Sequence, residues 1–213
     1  MTLRNPIAPH DLPAAVRREL LAATPERRLP HVLGVEGMAV VLARHWRLDA
    51  PRLLLAALLH DVAKFWPRDR QRAALDAPGD PAASPEDHEY PAIWHGFAAA
   101  RHARDAFGID DADVLEAVAF HPTGAAGLSP LGLALYVADF IEPSRDWPGA
   151  PAFRREALNG ASLEQVALRV ALHKMEHLRE RGKPVHPRSL RMAEQLQARL
   201  ARPTNPAPEG SPS

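Results

Sequence analysis

The chain has no cysteine among its 213 residues. Disulfides, thiolate metal sites and a cysteine nucleophile are therefore excluded, and the absence fits a reducing compartment. Charge of one sign is not in excess either. Lys plus Arg number 26 and Asp plus Glu number 26, a formal net charge of +0. That balance gives no basic surface for nucleic acid and no acidic solvating tail. No apolar run is long enough for a membrane span, the longest being about a dozen residues against the roughly twenty needed. The opening MTLRNPIAPHDLP holds no apolar signal core, so a cytoplasmic protein is expected. Aromatic residues are scarce, at 6%. What remains is rich in Ala, Leu, Arg and Pro: Ala and Leu favour helix, and proline is tolerated at helix starts and in connections.

Apolar periodicity predicts helices and little else. The first covers Asp11 to Ala23, with Asp11 as N-cap. The second runs about fifteen residues, to Trp46. The third starts at Asp49 and ends near Phe65–Pro67. Asp76 to Tyr90 reads as a surface loop. Further helices begin near Ala92, near Asp110 or Asp111, and at Ser129 or Pro130. A short one follows around Phe153 to Leu158, then a long one from Ser162 to Arg181 and a last from Pro187 to Leu200. Pro203 to Ser213 reads as a disordered tail. No segment keeps a strand period, so the expected fold class is all-α in one domain.

The chemistry gathers around Leu53 to Lys64, LLLAALLHDVAK. A nearly unbroken apolar run of this kind is a helix buried on all sides. It ends in His60 and Asp61, an imidazole and a carboxylate whose burial is costly unless compensated. A metal ion is the natural compensator, and the chain offers further ligands. His121 closes a moderately apolar helix before Pro122, and Asp139 lies near the end of another buried helix. His31 and His95 sit near the starts of two more. Convergence of these helix ends would supply imidazoles and carboxylates for one or two divalent ions such as Fe, Mn, Co or Zn.

As an ordered set these residues resemble the HD superfamily of metal-dependent phosphohydrolases, and within it the YqeK-type symmetrical diadenosine tetraphosphate hydrolases. The resemblance is carried by RLPHVLGV (28–35), LLHDVAKFWP (58–67), AIWHGFAAA (92–100), AFHPTG (119–124) and YVADFIEPSR (136–145). It implies an HD-type helical bundle over residues 27–202, continuous with an N-terminal helix and lead-in over 1–26, with 203–213 as the tail. It also implies a two-metal centre, di-iron in the family picture. His31, His60 and Asp139 would hold one ion, His95 and His121 the other, and Asp61 would bridge. A hydroxide between the ions would attack a phosphorus, splitting diadenosine tetraphosphate into two ADP. On that reading Asp61 and Lys64 are catalytic. Arg28, Lys64, Thr123, Gly124 and Arg145 contact phosphate. The implied partner is a small nucleotide, not nucleic acid or membrane. Pro122 departs from the family, which often has a hydroxyl residue there.

Plainer readings exist. Asp139 could cap its helix or pair with Arg145, Lys64 could cover a helix end, and Arg28 could be a solvated charge. His173 and His177, four apart on one helical face, read as packing or a solvated edge, and 86–89 as a solvated loop. Trp66 and Trp94 could pack or seat a nucleobase. Apolar positions on the last two helices could support a homodimer. Other HD phosphohydrolases, acting on mononucleotides, cyclic nucleotides or guanosine tetraphosphate, and a catalytically silent nucleotide-binding module are the competing functions.

Overall fold

The structure, a computed structural model, describes residues 11–79 and 81–202. The expected tail at 203–213 and the lead-in before Asp11 lie outside the described residues. Within them the chain is all-α. The helices are α1 (Leu12–Ala23), α2 (Leu29–His45), α3 (Ala50–Leu59), α4 (Arg68–Asp76), α5 (Trp94–Phe107), α6 (Ala112–Phe120), α7 (Pro130–Ile141), α8 (Ala150–Leu158), α9 (Leu163–Glu180) and α10 (Pro187–Leu200).

Helix starts follow local chemistry. The Asp49, Asp111 and Ser129 side chains accept from the backbone N–H three residues on, satisfying an orphan donor of the first turn. Ser162 and Gln165 form a reciprocal capping box at the start of α9. Asp11 precedes α1 without a side-chain cap bond. Helices α3 and α7 form the middle of the core. Leu53, Leu58, Leu59, Leu135, Val137 and Ile141 are among their fully buried side chains. Around them pack α1, α2 and α6 on α3, and α2, α6, α8 and α9 on α7.

Two boundaries differ from the sequence pattern. The third helix stops at Leu59, not near Phe65, and the chain from His60 to Phe65 proceeds in tight turns. Backbone bonds there run Val62 to Leu59, Lys64 to Asp61 and Trp66 to Ala63. The apolar pattern continues through Val62 and Ala63, which is why it reads as unbroken helix. The second difference is α4, whose sequence RDRQRAALD has no apolar stripe. It buries Gln71 and Leu75, and the Gln71 amide donates to the carbonyls of Ala63, Lys64 and Trp66, at 3.0, 3.2 and 3.2 Å. A buried amide thus satisfies the carbonyls freed where α3 unwinds.

The 86–89 segment is also not simply a solvated loop. Asp87 is fully buried; it bonds Arg188 at 2.7 Å and lies 3.0 Å from His186 Nε2, tying the start of α10 to this turn.

Candidate metal centre

Each expected ligand sits at a helix end because the local sequence stops or starts a helix there. His60 is the C-terminal cap of α3, and His121 that of α6 before Pro122. His31 lies in the first turn of α2, His95 in that of α5, and Asp139 in the last turn of α7. Gly96 lets two of these ends meet: a methyl group there would run into the backbone carbonyl of Ala119 on α6. The His95 and His121 rings consequently lie 5.0 Å apart, with their Nε2 atoms 3.2 Å apart.

Asp61 stands at the middle, 3% exposed. Its two oxygens face different groups. Oδ2 lies 3.7 Å from Nε2 of both His31 and His60. Oδ1 lies 3.4 Å from Nε2 of His95 and 3.6 Å from that of His121. Asp139 Oδ1 is 3.3 Å from His31 Nε2.

The far sides of the rings fix their protons. His60 Nδ1 faces the Ala57 carbonyl at 2.6 Å, and His121 Nδ1 the Val118 carbonyl at 2.8 Å. A carbonyl only accepts, so Nδ1 carries the proton and each Nε2 presents a lone pair inward. His31 Nδ1 does the same toward Oε1 of Glu142 at 3.0 Å. Buried Nε2 of His31, Nε2 of His60 and Oδ1 of Asp61 have no hydrogen-bond partner. Such orphans are costly in a dry site, and an electron-pair acceptor among them removes the cost. Ligand atoms of His31, His60 and Asp139 lie within 4.8 Å of one another, as do those of His60, Asp61 and His121. The donors fit a divalent metal.

Burial keeps the imidazoles neutral: His31, His95 and His121 are all pushed below the usual histidine value, His95 well below. Burial would raise the Asp61 carboxyl, but His60, His121, Lys64 and His95 outweigh it and hold it well below the carboxylate range. Asp139 is held low in the same way, burial being outweighed by His60 and Arg145. Neutral imidazoles and ionised carboxylates are the forms that bind a metal.

A cavity of about 790 Å³ opens beside the centre, a size in the range of small-molecule sites. Arg28, Lys64, Thr123 and Arg145 line it as the sequence predicts. Arg28 bonds Asp61 at 3.0 Å, Lys64 lies 3.0 Å from His95 Nε2, and Arg145 donates to Asp139 Oδ1 at 3.0 Å. Gly124 is outside the lining. Its backbone, at φ 68°, lies against Met192, and its N–H bonds the Phe120 carbonyl at 2.6 Å. Neither Trp66 nor Trp94 reaches the cavity lining: Trp66 packs on His102, and Trp94 is buried with its N–H on the Asp87 carbonyl.

Sequence reasoning missed four participants. Glu142 orients His31, and Gln71 braces the turn that carries Asp61 and Lys64. Trp147 lines the cavity stacked on His173, 4.8 Å between ring centres at 19°. Lys174 lines it as well. His177 is an exposed residue at its edge. Their signal was weak: Gln71, Trp147 and Lys174 lie outside the motifs, and Glu142, though inside YVADFIEPSR, meets His31 111 positions away.

Comparison with known proteins agrees with this geometry. The HD domain model matches residues 28–144. A Bacillus subtilis protein named bis(5'-nucleosyl)-tetraphosphatase, symmetrical, is 32% identical over 174 residues, covering 82% of this chain and 89% of the relative. A Halalkalibacterium halodurans protein of the same name is 32% identical over 176 residues, covering 80% and 89%. A crystal structure described as a predicted HD superfamily hydrolase involved in NAD metabolism, from Clostridium acetobutylicum, superposes with a TM-score of 0.80 at 30% identity, covering 87% of this chain and 97% of that one. With the ordered histidines and aspartates gathered at one point and the matched region enclosing all of them, the chain belongs to the HD domain family.

Proposed function

We propose that this protein is a metal-dependent hydrolase of dinucleoside polyphosphates that splits diadenosine tetraphosphate symmetrically into two ADP. The observation that carries it is Asp61, with one oxygen toward each histidine pair, at the wall of a cavity lined by Arg28, Lys64 and Arg145. The names of the bacterial relatives point to the same substrate.

His31, His60 and Asp139 would hold one divalent ion and His95 and His121 a second, with Asp61 shared. When bound, such ions supply Lewis acidity at phosphorus and lower the pKa of a water between them. Iron is our assignment, with Mn, Co or Zn compatible with the same imidazole and carboxylate donors. The chain's own residues do the rest. Glu142, Ala57 and Val118 hold three imidazoles with Nε2 inward. The Arg145 and Arg28 guanidiniums suit phosphate oxygens because their forks donate two bonds at once. Lys64 places an ammonium beside Asp61 Oδ1, at 3.8 Å, where charge would develop on the phosphoryl group. Thr123, a buried residue of the lining, donates its hydroxyl to the Gly124 carbonyl at 2.8 Å, and turning it would offer that donor to phosphate. Water adds across the central P–O–P linkage. One phosphorus gains oxygen from water, and the departing ADP leaves as a stable phosphate anion.

A nucleobase has a seat in the aromatic wall of Phe140, Trp147 and His173. No helix among the described residues is long and apolar enough to cross a membrane, and a cytoplasmic reaction suits this substrate. Exposed Leu172 and Leu190, on α9 and α10, would support a homodimer, which the mass in solution would reveal.

The test is hydrolysis of a nucleotide panel in metal-defined buffers with every product identified and metal content measured. ADP as the sole product of diadenosine tetraphosphate is expected. ATP plus AMP, or turnover confined to mononucleotides or cyclic nucleotides, would overturn the proposal. Tight nucleotide binding without product would identify a silent binding module instead.

A further inference from the structure

Four cations line the cavity, and three of them are already matched to the carboxylates of the metal centre. Arg28 and Lys64 face Asp61, and Arg145 bonds Asp139. The fourth, Lys174 on α9, is different. Among the described residues no carboxylate lies within ion-pairing distance of it. Its Nζ donates to the Pro122 carbonyl at 2.9 Å and lies 4.2 Å from the centre of the Tyr136 ring. An ammonium has three N–H donors. One goes to Pro122 and one can face the π cloud of Tyr136, which leaves a donor for the cavity that the residue lines. Tyr136 itself is fully buried, so this side of the ammonium is dry.

Retaining an ammonium in such a place, without a counter-charge, costs free energy unless a bound anion repays it. Burial pushes Lys174 down to about 8, a pressure that Asp139 opposes and Arg145 and Lys64 reinforce. It therefore remains largely protonated near neutrality while carrying an unmet electrostatic demand. Pro122 fixes where that demand is felt. It directly follows His121, so its carbonyl holds the ammonium one residue beyond a ligand of the centre. One position earlier on α9, His173 stacks on Trp147, so one helix presents a cation and an aromatic edge to the same cavity.

We infer that Lys174 is a phosphate-binding residue for the part of the polyphosphate chain outside the metal centre, linking the reacting phosphorus to the nucleoside seated near Trp147. The inference rests on the hydrolase reading for its substrate but on this side-chain geometry for its site. The backbone carbonyl at position 122, which any residue there would supply, holds the ammonium beside the cavity.

The experiment compares Lys174→Met, which keeps the stem and removes the charge, with Lys174→Arg, which keeps the charge, in the full chain. Two readouts are taken: KM and kcat for diadenosine tetraphosphate, and calorimetric binding of inorganic tripolyphosphate. Loss of one charge-assisted phosphate contact predicts roughly 10- to 100-fold higher KM and weaker tripolyphosphate binding in Lys174→Met, with partial recovery in Lys174→Arg. If Lys174 serves only to satisfy the Pro122 carbonyl, Lys174→Met will lower the thermal midpoint and leave both KM and tripolyphosphate binding unchanged, which overturns the inference. If the wild-type protein hydrolyses no dinucleoside polyphosphate, the substrate reading fails by itself. The tripolyphosphate comparison then still decides the role of Lys174.

Discussion

His31 turns its Nδ1 toward Oε1 of Glu142 at 3.0 Å, and Glu142 is completely buried. Burial would raise that carboxyl, but the His31 and Ser144 hydrogen bonds keep it below its ordinary value, so it is ionised. An ionised acceptor on Nδ1 fixes the tautomer and makes Nε2 a better donor to a metal. Glu142→Gln should weaken metal binding by about 10- to 100-fold, the usual effect of removing such an outer partner. Metal titration of the stripped protein measures it, and an unchanged affinity would show that Glu142 only packs.

Asp61→Ala should reduce turnover by on the order of 10³-fold, since it removes the group shared between both histidine pairs and the counter-charge of Arg28 and Lys64. The helical circular dichroism spectrum should be retained, because Asp61 lies in the turn after α3 and not in the helix. Full turnover in this variant would rule out the mechanism.

The metal-free protein should lose stability in mild acid. His31, His95 and His121 have folded values below the unfolded 6.5. As pH falls the unfolded chain therefore takes up protons first, and their contribution, whole above 6.5, is lost as pH drops toward the folded values. Asp61 and Asp139 are depressed carboxyls, so their contribution persists down to their unfolded value of 3.8 and is lost only below it. Between about pH 7.5 and pH 5.5 the histidines dominate the slope, and Lys174, pushed down to about 8, adds to it with the same sign at the upper end. Thermal melts across that interval should show a falling midpoint, and His121→Gln should flatten the fall.

Arg188→Met should destabilise the fold without touching the chemistry. Asp87 has no exposure, and the Arg188 guanidinium, at 2.7 Å, pairs with it. Removing one side of a buried pair costs about 3 kcal/mol, or about 6–12 °C in midpoint for a chain of this size. Differential scanning calorimetry reads this directly.

Trp147→Ala should raise KM for diadenosine tetraphosphate roughly tenfold, the value of about one base–aromatic stack, and should leave the affinity for inorganic tripolyphosphate unchanged. Equal KM values for the variant and wild type would remove the nucleobase from the Trp147–His173 wall.

How much of this was legible in the sequence depends on where each partner comes from. The six residues proposed to hold metal were readable because each belongs to a motif in a fixed order, and each motif lies at a helix boundary. Asp49, Ser129 and Ser162 announced helix starts because a cap acts over three residues. Helix α4 and the early end of α3 were not legible. The unwound turn keeps apolar residues, and its carbonyls are satisfied by Gln71, a residue with no pattern of its own. The Asp87–Arg188 pair joins residues 101 apart and the His31–Glu142 pair residues 111 apart. Contacts of that range follow from how helices dock, which local periodicity does not encode. The same holds for Lys174, an unremarkable cation of an amphipathic helix until Pro122 and Tyr136 are seen beside it.

The convergence of five helix ends also gives the centre an order of assembly. His31, His60, Asp61, His95 and His121 all lie before α7, so a chain folded through α6 already carries five of the six candidate donors. The sixth, Asp139, 108 positions beyond His31, docks with the rest of α7. Full occupancy of the centre therefore signals that α7 has closed the core. An ion held there acts as a clasp between segments that have no covalent cross-link, in a chain without cysteines to make one.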